Sequence, residues 1–275
     1  MRSFADDTAV DGREGTFRAT LHEGWNVWGP FGGYRAAVML RALAAASRQP
    51  RPATFACAFF STGKNGPVEI AVTTRQAGNR AEALHAVMTQ DGAPIMDATA
   101  WFVAGDVAGF EHDAAVMPRV PAPETLRSYQ DLSEDYASWY PLWQSVEGRP
   151  LIWSPSPGPP EWHAWLRLQA PLLHSDLVLE AARHLMWLDV MMWNAVLPPH
   201  PRRPTRFIAP SLDLTAQFHA GAPTEEWLLC DAAAPIAVDG LASCHGRVWS
   251  RDGRLLASGT SQLFCRPNPV APPTS

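Results

Sequence analysis

Apolar positions along this chain fall into two patterns. From Tyr34 to Ser47 almost every residue is apolar, with Arg35 and Arg41 the only charges before Arg48, and no proline before Pro50. Good helix formers that are apolar on nearly every side predict a buried helix. Asp176–Leu197 repeats the theme with Leu, Met and Trp, and carries Asp189 inside it. The second pattern is short and alternating. It predicts strands over Thr16–Glu23, Thr54–Phe60, Val68–Arg75, Ala81–Thr89 and Ala93–Val103, and again over Ser211–His219, Glu226–Ala232, Leu241–Ser250 and Arg254–Phe264. Turn signals such as Gly63–Pro67, Gly78-Asn79 and Asp91-Gly92 separate the first set. One strand, one buried helix and then antiparallel strands is an α+β arrangement.

The two strand sets read as copies. With Phe60 set against Phe218, Gly63 falls on Gly221. With Asp91-Gly92 against Asp252-Gly253, Ile95 falls on Leu256 and Phe102 on Leu263. Tandem copies predict a fused pseudo-dimer, with an N-terminal repeat over residues 15–105 and a C-terminal repeat over 161–267. Residues 106–160 scatter prolines and charges and form a connector. Its aromatic content, Trp139, Tyr140 and Trp143, predicts that it packs on the repeats, with helical pieces around Ser133–Val146. Residues 1–15 read as a loose lead-in.

Composition narrows the function classes. The 275 residues are 47% hydrophobic and 18% charged, which suits a folded globular chain. A net charge of -5 argues against nucleic acid as partner. Arg41 and Asp189 interrupt the two longest apolar runs, so no membrane span is expected, and the acidic N-terminus does not read as a signal peptide. Cys57, Cys230, Cys244 and Cys265 lack CxxC spacing, which points to reduced thiols and a cytoplasmic location. The twelve tryptophans suit large apolar surfaces, including contacts within a homo-oligomer.

Three stretches carry a family resemblance. Gly29-Pro30-Phe31-Gly32-Gly33-Tyr34 leads into the first helix, Ser211–His219 is followed by Glu226-Trp227-Leu228-Leu229, and Gly246-Arg247-Val248-Trp249 is followed by Asp252–Ser258. In this order and spacing they resemble the double-hotdog acyl-CoA thioesterases, the thioesterase II-like group, although Tyr34 stands where a glutamine commonly follows the glycines. The resemblance implies two hotdog repeats, each a curved antiparallel sheet round one helix, joined edge to edge. It implies an acyl-CoA substrate, hydrolysis of its thioester and no cofactor or metal.

Thioester hydrolysis needs an activated water and a stabilised oxyanion. Asp213, a lone carboxylate in an otherwise neutral strand, is the expected base, with an edge-strand Asp facing water as the structural alternative. Gly32 and Gly33, with Tyr34 beside them, are expected to line the substrate and offer N–H groups at the positive end of the helix dipole. The resemblance places the family's water-holding glutamine on Ser261 and its threonine near Pro235. Gln262 is therefore expected to take the glutamine's place through a bulge near Gly259–Thr260, with its amide turned to Asp213. Pro235 predicts a missing hydroxyl contact. Arg202, Arg203 and Arg206 are candidates for coenzyme A phosphates, or else a solvated loop. His219 lines the site or sits at an exposed strand end. No HExxH, GxSxG, phosphate-loop or dinucleotide pattern is present. A hotdog hydratase or dehydratase and a non-catalytic acyl-thioester binder stay open as alternatives; the first lacks a His beside the glycine turn.

Overall fold

A computed structural model describes residues 3–132, 140–152, 157–172, 176–200, 205–221 and 225–268. Five helices occur among them: α1 (Phe4–Asp7), α2 (Gly32–Ala46), α3 (Tyr129–Leu132), α4 (Leu142–Ser145) and α5 (Leu177–Val196). Twelve strands form one antiparallel sheet. Those of the first half are β1 (Asp11–Arg13), β2 (Thr16–Leu21), β3 (Arg51–Phe59), β4 (Gly66–Ala77), β5 (Ala81–Gln90) and β6 (Ala93–Val103). Those of the second are β7 (Val146–Pro150), β8 (Glu161–Leu168), β10 (Asp213–Phe218), β11 (Leu228–Val238), β12 (Leu241–Trp249) and β13 (Leu255–Phe264). β9 (Phe207–Ile208) and β14 (Arg266–Pro267) make a separate two-stranded ribbon.

The sheet order, β1-β2-β4-β5-β6-β3-β10-β13-β12-β11-β8-β7, reads the same from either edge once β2, β4, β5, β6 and β3 are matched to β8, β11, β12, β13 and β10. β3 and β10 meet antiparallel at the centre, with Ala56 against Thr215 and Cys57 against Leu214. Joining at this seam removes two exposed edges, which would otherwise be templates for further pairing. Each half wraps one long helix, so the double-hotdog expectation is met.

Burial explains both helices. α2 buries ten of its fifteen residues and α5 sixteen of its twenty, and they pack on each other as well as on the sheet. Full burial of each Leu or Met side chain contributes roughly 1.5–3 kcal/mol, so packing rather than propensity holds these helices. Along β4 and β5 alternate residues face the helices, as the period-2 pattern requires.

Two sequence expectations need correction. The N-terminal lead-in is anchored: Phe4 is buried against Trp25, whose indole N–H donates to Asp7 Oδ2 at 2.9 Å. The connector contributes a strand, β7, which extends the sheet beside β8. It also covers the outer face, where Met117, Val120 and Leu126 pack on a second core of Trp165, Trp227, Leu229 and Trp249. Of the helical piece expected at Ser133–Val146, residues 133–139 lie outside the described residues, and 142–145 form α4. No helix among the described residues is long and apolar enough to cross a membrane.

Candidate active site

The glycine entry to α2 reaches its partner in the other half of the chain. Phe31, the residue before the helix, gives no side-chain cap. The cap comes from α5: the Gly33 N–H donates to Asp189 Oδ2 at 2.7 Å. Asp189 Oδ1 accepts from Ser211 Oγ at 2.7 Å. A carboxylate thus sits at the positive end of α2, where the helix dipole favours an anion. The two glycines permit this approach. A Cβ on Gly32 would stand 2.6 Å from Asp189 Oδ2, and one on Gly33 would stand 2.9 Å from Met186 Cα and 3.0 Å from Asp189 Cβ.

Asp189 is 5% exposed, and burial pushes its carboxyl above the ordinary range, opposed by the bonds from Ser211 and Gly33 and by Arg35. Arg35 is buried as well. Its guanidinium donates to the Ser61 carbonyl at 2.6 Å and stands 5.0 Å over the Phe59 ring. Burial pushes Arg35 down to about 10, against the pull of Asp189. Cys57 lies within electrostatic reach of Asp189, and burial first, then Asp189, drives its thiol up, away from a reactive thiolate. The chemistry available is a carboxyl of raised proton affinity, a hydroxyl beside it, and a helix start whose first N–H, at Gly32, has no intrahelical partner.

Sequence reasoning noticed Asp189 only as a charge inside an apolar helix. Its burial was the available signal; its partners, Gly33 and Ser211, are brought to it by the fold. Asp213 instead lies in a central strand, paired with Ala58 of β3, and not at an edge. Its Oδ1 accepts the Gln262 backbone N–H at 2.7 Å. The Gln262 side chain is turned elsewhere, its Oε1 accepting from Ser243 Oγ at 2.9 Å. Ser261 is buried, and its hydroxyl donates to the Asp213 carbonyl at 2.7 Å.

The expected bulge near Gly259–Thr260 is absent, since both residues pair in regular register with β10 and β12. Gly259 is needed because a Cβ there would run into the Thr215 carbonyl oxygen. The irregularity lies opposite. Thr215 pairs with Thr260 and Ser211 with Leu263, so Leu212–Leu214 face only Ser261 and Gln262. Asp213 fills that extra place and satisfies the Gln262 N–H that the ladder leaves unpaired.

Gly33 does not offer a free N–H, because Asp189 holds it. Tyr34 is fully buried; its hydroxyl donates to the Asp7 carbonyl at 2.7 Å and its ring stacks on Trp25, so it anchors the N-terminal segment. Gly32 is partly exposed at the helix start. Pro235 sits exposed at a register shift in β11, and the hydroxyl beside the carboxylate comes from Ser211. His219 is exposed at its strand end and contacts Ser258 Oγ at 3.0 Å. Arg202 and Arg203 lie outside the described residues, and Arg206 stacks on Phe207 at 5.1 Å.

Fold and site together define a double-hotdog protein with a buried carboxylate set between its two halves. Residues 21–103 match the N-terminal domain of acyl-CoA thioesterases and residues 114–264 match the C-terminal domain. The chain belongs to the acyl-CoA thioesterase family, a family of thioester hydrolases. It is 25% identical over 223 residues to acyl-coenzyme A thioesterase 8 of Homo sapiens, covering 74% of this chain and 69% of that protein. A hot dog fold protein of unknown function from Alicyclobacillus acidocaldarius aligns with a TM-score of 0.82 and 25% identity, over 98% of this chain and 99% of its own. The fold is also that of an acyl-CoA thioesterase II from Mycobacterium marinum, with a TM-score of 0.80 and 21% identity over 98% and 100% of the two chains.

Proposed function

We propose that this chain hydrolyses an acyl-CoA thioester to the free acid and coenzyme A, with Asp189 as the base. The observation that carries the reading is the buried Asp189 carboxylate of α5, hydrogen-bonded to Gly33 at the start of α2 and to Ser211. Asp189 draws a proton from a water while that water's oxygen bonds to the thioester carbonyl carbon. The carbon–sulfur bond then breaks, and the departing thiolate takes the proton back. A base of raised proton affinity suits this exchange near neutral pH. Ser211 and the Gly33 N–H hold the carboxylate in place, and the Gly32 N–H is the donor left to meet the developing oxyanion. Buried Cys57 is not the nucleophile, because its thiol is held protonated.

The hydratase reading asks for a histidine beside the glycine turn, and the side chains nearest Gly32 are those of Asp189 and Phe59. Release of a free acid from acyl-CoA would place the chain in fatty acid metabolism, and its four free cysteines are compatible with a reducing, cytoplasmic setting. Thiol release from acyl-CoA substrates of graded chain length tests the activity. A hydrolase frees coenzyme A, whereas a hydratase or a binder leaves the thioester intact.

A further inference from the structure

The seam between β3 and β10 has two ends, related by the internal two-fold. One end, where Phe59 approaches Ser211 beneath the start of α2, is the site above. At the other end Arg51 and Pro52 of β3 approach Phe218 of β10 beneath the start of α5, and a cleft of about 40 Å³ opens there. Leu177, Ala181 and His184 of α5, and His219, Ala220 and Gly221 after β10, complete its lining. That volume seats a group of a few heavy atoms such as a carboxyl, and the cleft is open beside half-exposed Leu177, so a longer chain can extend out of it.

Three polar atoms in this cleft's lining lack partners. His184 is 1% exposed, and neither ring nitrogen makes a hydrogen bond. Arg51 Nε is buried without an acceptor, and Arg51 forms no ion pair among the described residues. Native proteins seldom leave buried donors unmet, so such a cluster in a cleft marks a place for a ligand. The start of α5 itself is already capped by Asp176, whose Oδ1 accepts the Leu179 N–H at 2.8 Å, so the case rests on Arg51 and His184.

We propose that this cleft binds a short-chain carboxylate, the carboxyl group on Arg51 and His184 and the methylenes against Leu177, Pro52 and Phe218. An unpaired guanidinium favours a planar anion that accepts from its fork. A neutral imidazole adds one N–H to the same group. The apolar lining selects a carboxylate with a few carbons over an inorganic anion. A free acid of this class is also what a thioester hydrolase releases, but the binding proposal stands whether or not Asp189 is the base.

The test is calorimetric titration of the intact protein with butyrate and hexanoate, with hexanamide as the uncharged control. Long-range proton–nitrogen spectra of histidine-labelled protein read the His184 ring. Wild type and Asp189→Asn are expected to bind both carboxylates and not hexanamide, with the His184 ring nitrogens shifting on addition. Arg51→Gln is expected to lose at least tenfold in affinity. His184→Phe should bind as weakly; should it fail to fold, Arg51→Gln and the ring spectrum decide. Absence of binding by wild type overturns the proposal. So does equal binding by Arg51→Gln, or loss of binding in Asp189→Asn with the His184 ring unmoved, which would put the carboxylate at the thioester site.

Discussion

Replacing Asp189 by Asn tests the base with the least disturbance of shape. The carboxylate accepts from Gly33 N–H on one oxygen and from Ser211 Oγ on the other. An Asn carbonyl can keep the Gly33 bond, and the Ser211 hydroxyl can rotate to accept from the new NH₂ group. The variant loses the charge-assisted part of two hydrogen bonds, but it no longer buries a charge. These effects oppose, and the net change in stability should stay within about 1 kcal/mol. The pH dependence has a definite sign. The folded pKa of Asp189 lies above its unfolded value, so the folded state binds the proton more tightly. Stability from this group is therefore greatest below the unfolded pKa and is lost as pH rises through the folded one. Asp189→Asn should remove that decline and hold its melting temperature as pH rises. Turnover should fall roughly 10²–10⁴-fold, the range for loss of one general base, or about 3–5.5 kcal/mol of barrier. Coenzyme A release, followed with a chromogenic thiol reagent, measures the first effect, and thermal melts from pH 4 to 8 measure the second. Wild-type turnover by a folded Asp189→Asn enzyme would refute the role given to Asp189.

Four further outcomes follow from particular contacts. Ser211→Ala removes a bond that lowers the Asp189 pKa, so the acid limb of the pH–rate profile should move to higher pH while turnover falls. Asp213→Asn should stay close to wild type in thiol release, because its carboxamide oxygen can still accept the Gln262 N–H; a loss as large as that of Asp189→Asn would return Asp213 to the site. Gly33→Ala places a methyl against Met186 Cα and Asp189 Cβ, and denaturant melts should show roughly 1–3 kcal/mol of destabilisation from overpacking. Burial alone would raise the Asp231 carboxyl, but His163, Arg247 and the Trp249 N–H outweigh it and hold it below the ordinary range. Its contribution is present above the unfolded pKa and is lost as pH falls through the folded one, so Asp231→Asn should flatten the acid limb of stability in melts below pH 5.

The fold was legible because period and burial travel together. Alternation marked most strands of both repeats, and the all-round apolar stretches marked α2 and α5. β7 was missed because it lies in a proline-rich segment and owes its strand form to its neighbour β8. The anchored N-terminus was missed because Phe4, a single buried apolar side chain beside buried Asp7 and Thr8, carries no period. In the proposed site, the glycine entry was legible, and Asp189, the carboxylate that the fold brings to it, was not. Asp213 stands out in the sequence as a lone charge in a strand, and in the fold its Oδ1 accepts one backbone N–H across a bulge. Asp189 has partners 156 residues before it and 22 after it, and no linear spacing announces that meeting.

The duplicated architecture gives a physical reason for the difference between the two ends of the seam. In a dimer of identical chains a two-fold axis makes both ends alike, so every group placed at one end appears at the other. Fusion of the copies lifts that constraint. At the α2 end the close approach of α5 is possible because Gly32 and Gly33 carry no Cβ, and Asp189 uses the space they leave. At the α5 end the helix begins instead with Asp176 as its own cap, Leu177 follows, and the first turns bring His184 toward Arg51. Glycines at one helix start thus admit a carboxylate from the other repeat. A self-capped helix at the other end leaves a cleft with cationic and neutral donors and no carboxylate in its lining. On this argument base chemistry belongs to one end only, and the chain should titrate with one catalytic carboxyl per molecule. A pH–rate profile with a single acid-side ionisation would agree, and an acid limb steeper than one proton would not.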